Sequence, residues 1–212
     1  MLTIENDKLF YDWEYGDREF YSLLIKIEES DPSITELVLK DVEVDTDFFE
    51  DFCKALGKNH SITKLSLVRV RIGNIYPDDP LSNIYYKFGL CHNDVEVFFN
   101  GIEDNTTLKS LVLDQCFLNE YYDAYKLRKF VKHHPQLEHL QLHNVSITHE
   151  AEEEFLKIKD YRKLTLLELV NIEFCENKDG YCYHTGEKLD DYYLKKIYDA
   201  DVIIGYEQIF VI

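Results

Sequence analysis

The residues most able to do chemistry are three soft metal ligands late in the sequence. Cys175, Cys182 and His184 lie within ten residues of one another, and Cys91 stands beside His92. Thiolate and imidazole groups bind zinc, but structural zinc sites usually contain close pairs such as Cys-x-x-Cys, which this chain lacks. We therefore expect reduced cysteines, no metal and no cofactor. A zinc site, and a Cys182 nucleophile activated by His184, stay as alternatives.

Two further histidines fall on one face of a predicted strand. His139 and His143 are four residues apart, which is about 13 Å at ~3.3 Å per residue, so they cannot share one metal ion. If the neighbouring predicted strand is in register, His143 lies ~4.8 Å to the side of Asp114. We expect these two residues to form a lateral ion pair.

The common catalytic motifs are absent. Gly180 and Gly186 have the wrong spacing for a phosphate-binding loop and are not followed by Lys-Ser or Lys-Thr. His149-Glu150 has no second histidine four positions after the first, and no Gly-x-Ser-x-Gly elbow occurs. The sequence therefore predicts no catalytic residues and a protein that is not an enzyme.

The elements that position these residues are predicted by an internal repeat. A block of apolar residues at positions 1, 4, 6, 9 and 11 occurs five times, and between blocks the apolar spacing becomes that of a helix. The blocks are separated by 28, 46, 29 and 27 positions. We expect five parallel strands, each followed by a helix, that bury their leucines against neighbouring units. The blocks begin at Ile34, Ile62, Leu108, Leu137 and Leu164.

These blocks, such as Leu108-x-x-Leu111-x-Leu113-x-x-Cys116-x-Leu118, resemble the ribonuclease-inhibitor-like class of leucine-rich repeats. The resemblance covers roughly residues 20 to 204. It implies an α/β solenoid, a right-handed horseshoe with a parallel sheet on its concave side and helices on its convex side. The chain departs from the family at the ninth position, where Asn or Cys is usual. Apolar packing should mostly replace the side-chain ladder there, at Val42, Val70, Cys116, Val145 and Ile172.

The predicted domain organisation follows the repeat. Residues 1–33 form an N-terminal capping region with a helix near 17–29, and residues 34–174 form five repeats with an insertion at 73–93. Residues 175–212 supply a second rim insertion at 175–187, the last helix and a C-terminal cap. This last assignment aligns Ile203 with Leu164 as the start of a further block.

Alternation along each strand predicts which side chains face away from the helices. This concave face carries nearly balanced charge and several valines, which is typical of a surface that binds a partner protein. Its candidate contact residues are Val38, Lys40, Lys64, Ser66, Val68, Val112, Asp114, His139, Gln141, His143, Glu168 and Val170. Tyrosines of the first insertion, Tyr76, Tyr85 and Tyr86, are further candidates because tyrosine supplies contact area at small entropic cost.

The resemblance also implies an alternative function. Leucine-rich repeats of this class include activators of small GTPases that use an arginine at the rim where strands end, and Arg69 and Arg71 lie there. Partner binding, with inhibition or recruitment of the bound protein, is the function that the sequence favours. Regulatory, enzyme-like activity at the rim is the alternative.

Overall charge limits the partners. The formal net charge is −18, which repels phosphate backbones and anionic lipid, so we expect neither nucleic acid nor a membrane as partner. The N-terminal sequence lacks the pattern of a secretory signal and the cysteine number is odd. These features favour a cytoplasmic protein, of a eukaryote or of a microbe that delivers proteins into a host-cell cytosol. Glycosylation-type triplets at Asn59, Asn105 and Asn144 are interpreted as accidents.

Overall fold

The computed structural model describes residues 1–5, 8–9, 18–73, 87–88, 90, 92–118, 121–160, 164–178, 181–188 and 202–205. These residues form a mixed α/β fold with a mostly parallel sheet and a layer of helices. The helices are α1 (Arg18–Glu28), α2 (Thr46–Lys58), α3 (His92–Gly101), α4 (Tyr121–His133) and α5 (His149–Leu156), the last followed by a 3-10 turn at Lys157–Asp160. Within them no segment is long and apolar enough to cross a membrane.

The strands, in chain order, divide into long ones that build the main sheet and short ones along one rim. They are β1 (Leu2–Glu5), β2 (Lys8–Leu9), β3 (Glu36–Lys40), β4 (Glu43–Val44), β5 (Lys64–Val68), β6 (Arg71–Ile72), β7 (Lys87–Phe88), β8 (Ser110–Leu118), β9 (His139–Thr148), β10 (Leu166–Val170), β11 (Glu173–Lys178), β12 (Tyr181–Lys188) and β13 (Val202–Gly205). The main sheet has the order β1-β3-β5-β8-β9-β10-β13, and every adjacent pair in it is parallel.

The register of the main sheet follows the apolar repeat. The fourth residue of each predicted block pairs with its equivalent on the next strand, from Leu37 through Leu65, Leu111 and Leu140 to Leu167. The predicted parallel sheet is confirmed, with strands that begin two residues after each block begins. These leucines are buried in one core cluster together with the apolar residues of the helices, so the sheet has one face toward the helices and one away from them.

The N-terminal region contains more than the expected helix. Strand β1 pairs parallel with β3, Leu2 opposite Leu37 and Ile4 opposite Leu39, and β2 pairs with β4. Helix α1 then packs against α2. The order strand, rim strand and helix is therefore the same as in the later units. Sequence reasoning missed β1 because its unit matches only three of the five apolar block positions, Leu2, Ile4 and Leu9, and has Asp7 at the ninth.

The helix layer is held by large side chains and by one unusually close approach. Phe49 and Phe98 stack across the α2–α3 contact with ring centroids 6.4 Å apart. Near the ends of these helices, a Cβ on Gly57 would lie 2.2 Å from the Gly101 carbonyl oxygen, and one on Gly101 would lie 2.4 Å from the Cβ of Cys53. Glycine at both positions is thus required for the helices to approach so closely.

The two insertions return to the rim of the sheet. Within the first, Lys87 pairs antiparallel with Ile72, and Leu90 bridges to Cys116 and is only 3 % exposed. The C-terminal part of the predicted 73–93 insertion therefore belongs to the core, and α3 already begins at His92. The second insertion forms an antiparallel hairpin, β11–β12, attached to the end of β9.

One predicted alignment is wrong. Val202 pairs with Leu167, so Val202 and Ile204 take the fourth and sixth block positions, and Ile203 is not equivalent to Leu164. Two adjacent isoleucines in Val-Ile-Ile fit either phase of an alternating pattern, which explains the error. The predicted last helix at 189–198 lies outside the described residues.

Candidate functional site

The sheet face that points away from the helices brings the predicted contact residues together. We call it the open face and define it by the partly exposed residues of β3, β5, β8, β9 and β10. Its middle row is Val38, Ser66, Val112, Gln141 and Glu168, and its third row is Lys40, Val68, Asp114, His143 and Val170. His139 and Lys64 lie in the first row, and of all these side chains only Lys64 is fully exposed.

One half of the open face contains a cluster of three valines, with Lys40 and Lys64 beside it. Val38, Val68 and Val112 lie around Ser66 on three adjacent strands, and each is partly exposed. Neighbouring strands are ~4.8 Å apart, so these side chains form one continuous patch rather than separate exposed valines. Val170 lies apart from them, beyond His143.

The other half of the open face is polar and internally bonded. Gln141 donates to one oxygen of Glu168 through a short hydrogen bond, and His143 Nε2 lies 3.6 Å from the other oxygen. Asp114 and His143 are register neighbours, as predicted, but the predicted ion pair between them is not formed. Asp114 instead accepts a 2.5 Å hydrogen bond from Asn144 and lies 3.9 Å from Arg69. Side-chain alternation along the strands predicted that Asp114 and His143 are neighbours, but it could not predict which residue Asp114 would bond to.

One backbone position, directly after β3, β5 and β10 and within the longer strands β8 and β9, has the same unusual conformation in every block. The eighth residue of every block has a positive φ, between 50° and 64°, although none of the five is glycine. We call these residues the post-strand row: Asp41, Arg69, Gln115, Asn144 and Asn171. A left-handed backbone is tolerated best by Asn and Asp and is unfavourable for Arg and Gln. The recurrence shows that the sheet geometry, and not the residue type, imposes this conformation.

Side chains of the post-strand row bond along the edge of the sheet. Arg69 donates two hydrogen bonds of 2.6 Å to the two carboxylate oxygens of Asp41. At the other end, Asn171 donates to Asn144, which donates to Asp114. The hydrogen bond from Arg69 lowers the pKa of Asp41, against a smaller opposing effect of desolvation, and Asp41 in turn raises the pKa of Arg69.

This row changes one expectation about the turns. The ninth-position residues are buried, as predicted: Val42, Val70, Cys116, Val145 and Ile172. A side-chain row nevertheless exists, because polar residues one position earlier supply it at the surface. Side-chain bonds at the eighth position therefore connect the β3 unit to the β5 unit and the β9 unit to the β10 unit, and Asn144 also reaches Asp114 on β8.

The turn that precedes each strand carries a second, buried row. Asn59, which is 0 % exposed, donates to the Ile27 carbonyl at 2.6 Å and accepts from the backbone N–H groups of Ser61 and Ile62. Asn105, which is 4 % exposed, likewise donates at 2.7 Å to Leu56 and accepts from two backbone N–H groups. We call the residues three positions before each block the pre-strand row.

The pre-strand row explains two of the three glycosylation-type triplets. Ser61 and Thr107, the third residues of those triplets, donate side-chain hydrogen bonds to the carbonyls of Ile34 and Ile62. The Asn-x-Ser/Thr spacing at Asn59 and Asn105 is thus part of the turn and not an accident. At the other pre-strand positions Asp31 accepts from Ser33, and His134 Nδ1 accepts from Gln136 at 3.3 Å.

Both rim arginines contact carboxylates. Arg69 lies between Asp41 and Asp114, and Arg71 lies 3.2 Å from Glu43. An arginine that completes another protein's active site must extend its guanidinium away from its own chain. The observed geometry holds both guanidinium groups along the edge of the sheet.

The remaining candidates are placed only in part. Tyr76, Tyr85 and Tyr86 lie outside the described residues. In the β11–β12 hairpin the backbone of Cys175 lies opposite that of His184, and the backbone of Cys182 lies opposite that of Asn177. The described part of the chain contains no group of three His, Cys, Asp or Glu residues arranged to hold a metal ion.

Comparison with known proteins identifies no relative: no family model matches the chain, and no curated protein matches it. The geometry of the open face and of the two rows of turns is therefore the basis on which a function can be assigned. Sequence reasoning found the open face through alternation. It missed the post-strand row, whose only sequence signal is a polar residue at the eighth position of each block.

Proposed function

We propose that the chain is a leucine-rich-repeat solenoid of the ribonuclease-inhibitor-like class that binds a partner protein on its open face. The repeat supports the proposal at three levels. Strands pair in chain order and in one register, every block turns on a left-handed eighth residue, and the buried Asn59 and Asn105 occupy equivalent turns. Units that match in strand, turn and hydrogen bond are typical of a stacked repeat.

The observation that carries the binding proposal is the valine patch on the open face. Valine is a good strand residue, so isolated valines would need no explanation. Here Val38, Val68 and Val112 are adjacent on three strands of a chain with a net charge of −18. An apolar centre with a bonded polar border, here Glu168 with Gln141 and His143, is the usual anatomy of a protein interface.

Substitution of the patch tests the proposal. Affinity capture from cytosolic lysate, followed by mass spectrometry, is performed with the unmodified chain and with Val38→Glu and Val112→Glu. The control is Thr106→Glu, which adds the same charge at an exposed turn outside the open face. Partners that bind the open face should be lost with both valine variants and retained with the control, while all variants melt cooperatively. An unchanged partner list would contradict the proposal.

The rim insertion is tested separately, with boundaries corrected by the structure. Because Ile72 pairs with Lys87 and Leu90 is buried, residues 74–85 are replaced by Asn-Gly, which closes a tight hairpin and leaves the core intact. This change removes Tyr76 and Tyr85. If the insertion contributes to binding, this variant should still melt cooperatively but should capture the same partners more weakly. Unchanged capture would show that the insertion is not part of the binding site.

We also propose that the protein acts in the cytosol. The buried Cys53, which forms no disulfide, and the structural use of Asn59 and Asn105 support this, because neither amide is exposed for a glycan. Fractionation of cells that express the tagged chain tests the compartment. The GTPase-activating alternative has no observation in its favour, since Arg69 and Arg71 both contact carboxylates.

A further inference from the structure

The polar half of the open face contains two carboxylates with different neighbours. Asp114 has a permanent cation nearby, because Arg69 Nη1 lies 3.9 Å from its Oδ2, and it also accepts a hydrogen bond from Asn144. Glu168 accepts a hydrogen bond at one oxygen from the neutral amide of Gln141. Among the described residues no lysine or arginine is ion-paired with Glu168, so only a titratable side chain can balance its charge.

That titratable side chain is His143. Its Nε2 lies 3.6 Å from the second oxygen of Glu168, and none of the described residues forms a hydrogen bond with this nitrogen. Both side chains are largely covered, at 29 % exposure for His143 and 15 % for Glu168. Histidine is the side chain that ordinarily gains a proton between about pH 8 and pH 5. A proton on His143 places a positive charge beside the carboxylate without any movement of the sheet.

The other charged groups around His143 leave Glu168 as the carboxylate that needs this proton. On β8 the residue opposite His143 is Asp114, whose charge Arg69 already balances in part. On β10 the titratable residue is Glu168, and on β9 itself His139 is four residues away, about 13 Å along the strand. The helices lie on the opposite side of the sheet.

A partner on the valine patch also reaches Glu168. Val112, Gln141 and Glu168 are consecutive in the middle row, so Val112 and Glu168 are two strands or ~10 Å apart. A typical protein interface covers ~800 Å² on each partner, which is wide enough to include both. The bound partner therefore removes the remaining water from Glu168 and His143.

We propose that partner binding on the open face is strengthened by protonation of His143, an inference that rests on the binding function proposed above. A carboxylate that loses its water without gaining a cation makes binding less favourable. A proton taken from solvent by His143 offsets this cost in the complex. Because binding favours the protonated ring, linkage requires that a lower pH favours binding.

Retention at two pH values tests the proposal. The unmodified chain captures proteins from cytosolic lysate, and matched columns are washed at about pH 6 or about pH 8. Only proteins that are lost with Val38→Glu are counted, because these depend on the open face. They should be retained several-fold better at the lower pH, within the limit of about tenfold per pH unit that one proton sets.

The two ways to fail are distinguishable. Equal retention of these proteins at both pH values would overturn the pH dependence and leave the binding proposal intact, as expected if the partner brings its own cation to Glu168. If no captured protein depends on the valine patch at either pH, both proposals are contradicted.

Substitutions assign the effect to the pair. His143→Gln keeps a polar side chain that cannot take up charge, and Glu168→Gln removes the carboxylate, so each should make retention equal at the two pH values. The matched control is His60→Gln, which removes an exposed histidine in the turn before β5 and should keep the difference. The measured quantity is a ratio within each variant, so a general loss of affinity does not mimic the result. A pH difference that survives in both His143→Gln and Glu168→Gln would overturn the proposal.

Discussion

Before strands β5 and β8 the chain turns on an asparagine closed off from solvent, whereas the left-handed eighth residue of each block is partly or largely exposed. In the pre-strand row Asn59 and Asn105 each bond three or four backbone groups and are almost completely buried. In the post-strand row the bonds run between side chains, and Arg, Gln, Asn and Asp are all accepted. Both rows tie neighbouring units together, by different chemistry.

This difference shows that solvent exposure determines which side chains a repeated position can accept. A buried backbone group that loses its partner cannot bond to water instead, so only a side chain with a donor and an acceptor in the right places fits the pre-strand turn. At the exposed Asn144, water can replace a lost partner, and the shared feature of the row is the positive φ. The pre-strand row should therefore be sensitive to side-chain chemistry and the post-strand row to backbone conformation.

The largest expected effect is the loss of the buried amide. Asn105→Ala removes the acceptor of the Thr107 and Leu108 N–H groups and one of two donors to each of the Leu56 and Asn59 carbonyls. The expected loss in the free energy of unfolding is about 2–4 kcal/mol, since each buried unsatisfied group costs ~1–3 kcal/mol. Urea denaturation gives the measurement.

The matched control for that change lies in the surface row. Asn144→Gly also removes an amide and its hydrogen bonds to Asp114 and Asn171, but the φ of 51° suits glycine and Asn144 is exposed. We expect a loss below about 1 kcal/mol. Similar losses for the two variants would mean that burial does not separate the rows.

A smaller effect, of opposite sign, is expected at Gln115. Its φ is 64°, and its Oε1 is buried without a hydrogen-bond partner. Gln115→Gly removes the Cβ that makes this conformation unfavourable and should raise the free energy of unfolding by about 1 kcal/mol. Gln115→Ala deletes the same polar atoms but keeps the Cβ, so it isolates the backbone effect. If Ala stabilises as much as Gly in thermal melts, strain at this turn is not the cause.

The same contrast explains what could be predicted from the sequence. The leucines at block positions 4 and 6 repeat in one residue class, so apolar spacing located the strands and the open face. The eighth position holds Asp41, Arg69, Gln115, Asn144 and Asn171, which share a backbone conformation and not a residue class. A hydrophobicity pattern carries no information about φ, so this row could be identified only from the backbone conformation in the structure.

Two other failures have similarly local causes. The N-terminal unit has Leu2, Ile4 and Leu9 at block positions but Asp7 at the ninth. This match is too weak to indicate β1 by periodicity, although pairing with Leu37 and Leu39 places Leu2 and Ile4 in the sheet. Asp114 has His143, Asn144 and Arg69 as near neighbours, and sequence distance cannot decide among them. In the structure Asp114 accepts a hydrogen bond from the amide of Asn144, the residue that follows His143 on β9.

The smallest expected effect concerns the ion pair within the post-strand row. The pKa of Asp41 is lowered mainly by the hydrogen bond from Arg69, with weaker attraction from Arg69, Lys40 and Arg71 and an opposing effect of desolvation. Arg69→Gln keeps a long polar side chain at the same φ but removes the charged donor, so the pKa of Asp41 should rise toward ~3.9.

Because the folded-state pKa is below the unfolded one, the pair stabilises the protein fully above the unfolded value and loses this stabilisation as pH falls through the folded one. The stability difference between the unmodified chain and Arg69→Gln should therefore shrink below about pH 4. Titration of the Asp41 carboxyl by NMR is the direct measurement, with Lys54→Gln as the control, since Lys54 pairs with Glu50 on α2. An Asp41 midpoint that moves equally in both variants would show that general charge, and not the hydrogen bonds of the row, sets the pKa at this turn.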